Sequence, residues 1–99
     1  MQFLVTAYDG TDSGAQDRRL AARPAHIALG DKYRDEKKHL YAAAILNDDG
    51  QMIGSVMVVE FSNRAELDNW LAEEPYVVGK VWEKIEIKPC KVGPSFQKL

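Results

Sequence analysis

The chain has a single cysteine, Cys90. No internal disulfide can form, so a reducing, cytoplasmic setting is expected. Long apolar runs are missing as well. The opening stretch Met1–Val5 reaches Asp9 within a few residues. It is too short for the core of a signal peptide or for a membrane span, and neither is expected. There is no surplus of positive charge. Thirteen basic against fifteen acidic residues leave a net charge of −2. General binders of nucleic acid or anionic membrane usually carry a basic excess, so neither is an expected partner.

Several chemical signatures are absent too. Gly10 and Gly14 precede a helical stretch, but no Gly-Lys-Ser/Thr follows, which excludes a P-loop. Asp9 and Asp12 do not open a calcium loop, because Leu20 occupies the position that needs a bidentate Glu. The soft ligands His26, His39 and Cys90 match no zinc spacing, and no metal is expected. There is no Gly-x-Ser-x-Gly elbow. Cys90 follows Pro89 at a strand end with no helix start nearby to activate it, so it reads as a small packed residue.

What remains is an ordinary globular composition, 45% apolar and 28% charged over 99 residues. A chain of this size is one domain, 1–99, and buries roughly 65% of its unfolded surface without staples. The pattern gives six elements. Phe3–Tyr8 is a strand, closed by Asp9-Gly10 and a polar loop to Gly14. Ala15 to Glu36 is helical, with a break expected near Ala22 or Arg23 because of Pro24. Leu40–Leu46 and Met52–Phe61 are strands joined by the turn Asn47-Asp48-Asp49-Gly50. Ser62 or Asn63 caps a helix that stops near Glu74, before Pro75. Val81–Lys88 alternates apolar and charged residues as a last strand, and 91–99 is a tail.

The order βαββαβ predicts an α+β, ferredoxin-like sandwich with two helices on one face of an antiparallel sheet. The third strand is apolar on both sides, with Met52, Val56 and Val58 opposite Ile53, Met57 and Val59. Two helices cover only one face. The other should be covered by a second copy, giving a homodimer packed sheet to sheet.

Two positions put polar groups on apolar stripes. Ala22, His26, Leu29, Gly30 and Tyr33 share one helix face. His26 is therefore either a hydrogen-bonded core histidine or a general acid-base, a role its ordinary pKa near neutrality suits. Glu74 ends the stripe Leu67, Trp70, Leu71, where the helix dipole disfavours an anion. It is either an exposed terminal carboxylate or one compensated by a histidine or arginine. Ser55, mid-strand, either bonds the backbone or faces a cavity. His39, beside Lys37 and Lys38, reads as solvent-facing, and Trp82 as sharing the charged face of the last strand with Lys84.

The stretch Arg19-Leu20-Ala21-Ala22-Arg23-Pro24-Ala25-His26-Ile27 resembles the signature of the YciI-like (YCII-related) family. Gly54–Phe61, Glu74-Pro75-Tyr76-Val77 and Val81–Pro89 agree with it, so the likeness runs from Phe3 to about Lys91. It implies a fold of the dimeric α/β-barrel type. It also implies a site that pairs His26 with a carboxylate before Pro-Tyr. The family has aspartate there; this chain has Glu74, one methylene longer. Arg23, and less so Arg19, would bind an anionic group of a small-molecule ligand, with Tyr8, Tyr33 and Tyr76 as pocket walls. The implied activity is cofactor-free proton transfer, lyase-, dehydrochlorinase- or isomerase-like, on a small phenolic or anionic ring compound. The alternatives are a metabolite-binding module and an accessory dimer.

Overall fold

The computed structural model describes residues 1–97; Lys98 and Leu99, the end of the expected tail, lie outside them. Strand β1 (Gln2–Asp9) leads through a loop to helix α1 (Ala15–Asp35). The hairpin β2 (His39–Leu46) and β3 (Met52–Glu60) follows, then α2 (Arg64–Glu73), a single turn α3 (Pro75–Val78) and β4 (Trp82–Cys90). The tail holds one 3₁₀ turn, Pro94–Phe96. The four strands form an antiparallel sheet in the order β2-β3-β1-β4. This is the ferredoxin-like α+β arrangement. No helix among the described residues is long and apolar enough to cross a membrane.

The helix-side face follows from strand parity. Phe3, Val5 and Ala7 of β1 register with Val59, Met57 and Ser55 of β3, and all six are buried. Leu67 and Trp70 of α2 close the core from above. Asn63 caps α2, its side chain accepting from the Glu66 N–H. The β2–β3 turn is held by Asn47 Oδ1, which accepts from the N–H groups of Asp49 and Gln51. Gly50 there takes a φ of 81°, which a residue with a Cβ rarely adopts.

Two expectations are corrected. Helix α1 does not break at Pro24 but runs unbroken for 21 residues. Proline removes the N–H that would reach the Leu20 carbonyl and crowds that carbonyl with its ring. Leu20 is 58% exposed and Pro24 is exposed too, so the freed carbonyl lies on the water side, where its loss costs least. Trp82 does not share the face of Lys84. The β1–β4 register shifts between Tyr8 and Asp9, pairing Tyr8 with Lys84 but Asp9 with Trp82. One extra residue on β4 flips the alternation, and the indole turns into the core.

On the far face, Leu4, Val58 and Tyr41 stand in register across three strands, beside Thr6, Val56 and Ala43. Tyr41 is exposed and Val58 half-buried. Lys84, Glu86 and Lys88 bound this apolar band on β4.

Candidate active site

Glu74 owes its position to the residue after it. A proline disfavours helical backbone at the preceding residue, and Glu74 accordingly sits at φ −63°, ψ 120°, between α2 and α3. Its side chain swings inward and is fully buried, at 0% exposure. Oε2 accepts from the Trp70 indole N–H at 3.2 Å, and Oε1 from the Tyr76 backbone N–H at 3.2 Å. Oε1 also meets Nδ1 of His26. The carboxylate therefore faces N–H donors instead of the carbonyl end of α2, which removes the conflict with the helix dipole. The longer Glu reaches the histidine because it starts from this extended residue.

His26 comes from the middle of α1, on the stripe that also packs Ala22, Leu29 and Tyr33 toward the core. Its ring lies parallel to Tyr76, centroids 3.8 Å apart at 9°, and edge-on to Trp82 at 6.1 Å. With Nδ1 directed at a carboxylate, the proton of the neutral ring belongs on Nδ1, and Nε2 keeps a free lone pair. Nε2 makes no hydrogen bond among the described residues. The imidazole is 18% exposed and separates two adjoining clefts between α1 and the edge strand β2. One, about 250 Å³, is lined by Arg19, Arg23, Ser55 and Tyr76. The other, about 270 Å³, is more apolar, with Ile27, Leu40 and Met57, and carries Asp31 and Arg34. The alanines of β2 contribute to both, leaving space that larger side chains would fill.

A second buried cluster supports the first cleft. Arg19 is 3% exposed and donates through Nη1 to both oxygens of Asp9, at 2.9 and 3.0 Å. Its Nη2 donates to Ser55 Oγ at 3.1 Å, and its guanidinium lies 4.7 Å from the Tyr76 ring centre. The Trp82 indole N–H also donates to Ser55 Oγ, at 3.3 Å. Burial pushes the Tyr76 phenol up from its ordinary pKa.

Of the residues singled out in the sequence, the fold brings His26, Glu74, Arg23, Ser55 and Tyr76 together. Tyr8 is not among them. It is 45% exposed, points to the far sheet face by strand parity, and lines a separate hollow with Thr11 and Gln16. Tyr33 stands apart too, donating to Glu73 at 3.1 Å, with burial and that carboxylate pushing its phenol up to about 12. Arg19 lines the same cleft but is already paired with a buried acid, Asp9. Asp9, Arg19 and Trp82 were not legible as one cluster. Asp9 continues the buried parity of Phe3, Val5 and Ala7, and Arg19 falls four residues after Ala15 and seven before His26. Those two periodicities carried the signal.

His39 is corrected outright: it is 7% exposed, not solvent-facing. Tyr33 stacks on it at 4.9 Å and Trp70 meets it edge-on at 4.8 Å. Neither ring nitrogen has a hydrogen-bond partner among the described residues. Burial pushes its pKa down to about 4, so the ring is neutral at pH 7. No group of three His, Cys, Asp or Glu side chains suited to a metal ion occurs among the described residues.

Comparison with known proteins follows the same lines. The family model of the YCII-related domain matches residues 1–91. A protein called YciI from Escherichia coli is 34% identical over 97 residues, covering 92% of this chain and 97% of the relative. An uncharacterised Haemophilus influenzae protein is 28% identical over the same span. Among solved structures, a 5-chloro-2-hydroxyhydroquinone dehydrochlorinase from Burkholderia phenoliruptrix, in complex with 2,5-dihydroxybenzoquinone, superposes with a TM-score of 0.81 at 20% identity, covering 98% of this chain and 100% of the other. A dimeric ferredoxin-like protein of unknown function from Jannaschia gives a TM-score of 0.55 at 15% identity, covering 92% and 98%. At these identities the structures share the fold.

Proposed function

The chain belongs to the YCII-related family, and from that premise we propose that it is a cofactor-independent enzyme that moves a proton on a small phenolic or anionic ring compound. The observation that carries this reading is the contact between His26 Nδ1 and the fully buried Glu74. It holds the imidazole in the tautomer that leaves Nε2 basic and facing the clefts. His26 takes a proton from a ring hydroxyl, or from the carbon beside a carbonyl. From a hydroxyl, the electron pair moves through the ring to the carbon that bears the chlorine, and the imidazolium, stabilised by Glu74, gives its proton to that carbon. His26 then takes a second hydroxyl proton, the new electron pair expels chloride from the now tetrahedral carbon, and the imidazolium gives this proton to water. From a carbon beside a carbonyl, the pair forms a double bond that either expels a chloride on the next carbon or shifts along the ring, with the proton returned to product or water. The ring's own conjugation holds the charge, so this scheme calls for no cofactor. Arg23 attracts an anionic substituent, with Ser55 and Tyr76 lining the same cleft.

The dehydrochlorinase with the same fold supports a reaction of this class. The proposal extends to the quaternary state. The whole chain acts as one domain, and two copies pack their uncovered sheet faces together, as the apolar band of Leu4, Tyr41, Val56 and Val58 favours. A cytoplasmic enzyme fits the lone thiol of Cys90.

The test is turnover of chlorinated hydroxyquinols, followed by chloride release and by the ultraviolet spectrum. General acid-base help contributes about 10²–10⁴-fold, and His26→Gln and Glu74→Gln should each lose a factor in that range. Turnover that survives both substitutions overturns the scheme. Binding without turnover in the wild type would leave a metabolite-binding module.

A further inference from the structure

The hydroxyl of Ser55 has its hydrogen-bonding roles fixed by its neighbours. Arg19 Nη2 reaches Ser55 Oγ at 3.1 Å and Trp82 Nε1 reaches it at 3.3 Å. A guanidinium and an indole N–H are donors only; neither can accept. A serine oxygen has two lone pairs and one hydrogen, so both lone pairs are occupied. What is left is the O–H, and among the described residues it has no acceptor. Ser55 is itself 5% exposed and forms part of the wall of the cleft beside His26. A donor this buried is costly if unmatched.

The charges around it have the same sense. Arg19 is neutralised by Asp9, and His26 faces Glu74. Arg23 is exposed, lines the same cleft and forms no ion pair among the described residues. The cleft therefore offers the Ser55 donor and one unmatched cation to whatever occupies it; the Nε–H of Arg19, on the same wall, is a further buried donor without a partner among the described residues.

We propose that Ser55 is a specificity-determining residue that selects the ionised form of the ligand: a phenolate or enolate oxygen, which only accepts, in preference to the neutral hydroxyl. This rests on the proposed site around His26 and narrows its substrate class. A neutral hydroxyl donates as well as accepts, and finds Ser55 unable to accept. An ionised oxygen takes the Ser55 proton and the field of Arg23 together. In the proton transfer, the same O–H is in place for charge that develops on a ring oxygen as His26 removes the proton. Donors fixed toward developing charge are worth about 10²–10³-fold.

A chromogenic nitrophenol tests this, because its phenolate and phenol differ in visible colour. Titrated with wild-type protein near its own pKa, the probe should shift toward phenolate, with the ionised form bound about 10-fold more tightly, or 1.4 kcal/mol. Ser55→Ala should abolish most of that preference. It also strips an acceptor from Arg19 and Trp82, so thermal unfolding must show that it is folded. Arg23→Gln, at an exposed position, provides the second arm and should weaken the preference several-fold. Equal or tighter binding of the neutral phenol overturns the proposal. So does no binding of either form at millimolar concentration, or an unchanged preference in folded Ser55→Ala or in Arg23→Gln. His26→Gln separates this from the catalytic reading. It should lose turnover while keeping the phenolate preference; turnover retained there defeats the catalytic scheme and leaves the Ser55 result standing.

Discussion

The imidazole of His26 lies flat on the ring of Tyr76, 3.8 Å between centroids. The backbone N–H of the same tyrosine donates to Glu74 Oε1, the oxygen that meets His26. One residue thus fixes both members of the His–carboxylate pair, the first through its ring and the second through its main chain. The α3 turn that carries Tyr76 begins at Pro75, which also extends the backbone of Glu74. The order Glu-Pro-Tyr is a local device: proline turns the acid inward, and tyrosine supplies its cap and a platform for the histidine.

Substitution at Tyr76 should separate these roles. Tyr76→Phe keeps ring and N–H, and its turnover and urea midpoint should stay near wild type. Tyr76→Ala keeps the N–H but loses the platform and a core side chain that is 1% exposed. It should cost about 3–5 kcal/mol by urea unfolding. Where it remains folded, turnover should fall by up to about 10²-fold, because misplacing a catalytic group by an ångström can cost that much.

Much of this was legible in the sequence. Periodicity placed His26 and Trp70 on inward stripes, and the Arg-Pro-Ala-His stretch identified the family signature. The remainder depended on single-residue geometry that a periodic reading averages over. Trp82 changed faces through one bulged residue on β4. Pro24 stayed inside α1 because the carbonyl it frees is on the wet side. His39 looked exposed beside two lysines, yet the irregular register between His39 and Tyr41 accompanies a ring seated among Tyr33, Phe61 and Trp70. Asp9 was read as the start of a loop, although the parity of β1 already put it inside.

His39 makes stability depend on acid. Its pKa falls from 6.5 in the unfolded chain to about 4 in the fold, through burial, with Glu74 opposing and His26 adding to the shift. Above pH 6.5 the ring is neutral in both states and the fold loses nothing. Between 6.5 and 4 the unfolded chain binds a proton that the fold refuses, so stability falls with falling pH. By pH 4 the loss attributable to this group is about 3 kcal/mol. His39→Phe should flatten that part of the profile. It should also raise stability at pH 7, since it removes two buried nitrogens that have no partner among the described residues. Urea unfolding of both proteins between pH 7.5 and 4.5 checks this; parallel profiles would place the acid sensitivity elsewhere.

The Arg19–Asp9 pair should be costly to break and cheap to replace. Both side chains are 3% exposed, and the contact joins α1 to the end of β1. Removing one partner strands a buried charge, so Asp9→Ala or Arg19→Ala alone should destabilise by about 3–5 kcal/mol. An apolar pair such as Asp9→Leu with Arg19→Met should recover most of that loss, because neither charge then has to leave water. The double variant would also free a lone pair on Ser55, making its hydroxyl an acceptor as well as a donor. Its phenolate preference should therefore weaken while its stability returns, a combination that urea unfolding and the nitrophenol titration together would reveal.

The uncovered sheet face sets the last expectation. A face of four strands, each of about eight residues, measures roughly 26 by 19 Å, or about 500 Å². Two such faces bury about 1,000 Å², close to the lower bound for a specific interface. An interface this small has little surplus, so one buried charge at its centre should open it. Val58 occupies that centre, in register with Leu4 on one side and Tyr41 on the other. Sedimentation of the wild type at micromolar concentration should give twice the chain mass, and Val58→Lys should give the single mass with unchanged far-ultraviolet circular dichroism. Because His26 and both clefts lie on the helix side of the sheet, the monomeric variant should still bind the nitrophenol probe. A wild type that sediments as a stable monomer would show that the apolar band is tolerated in water and needs no second copy.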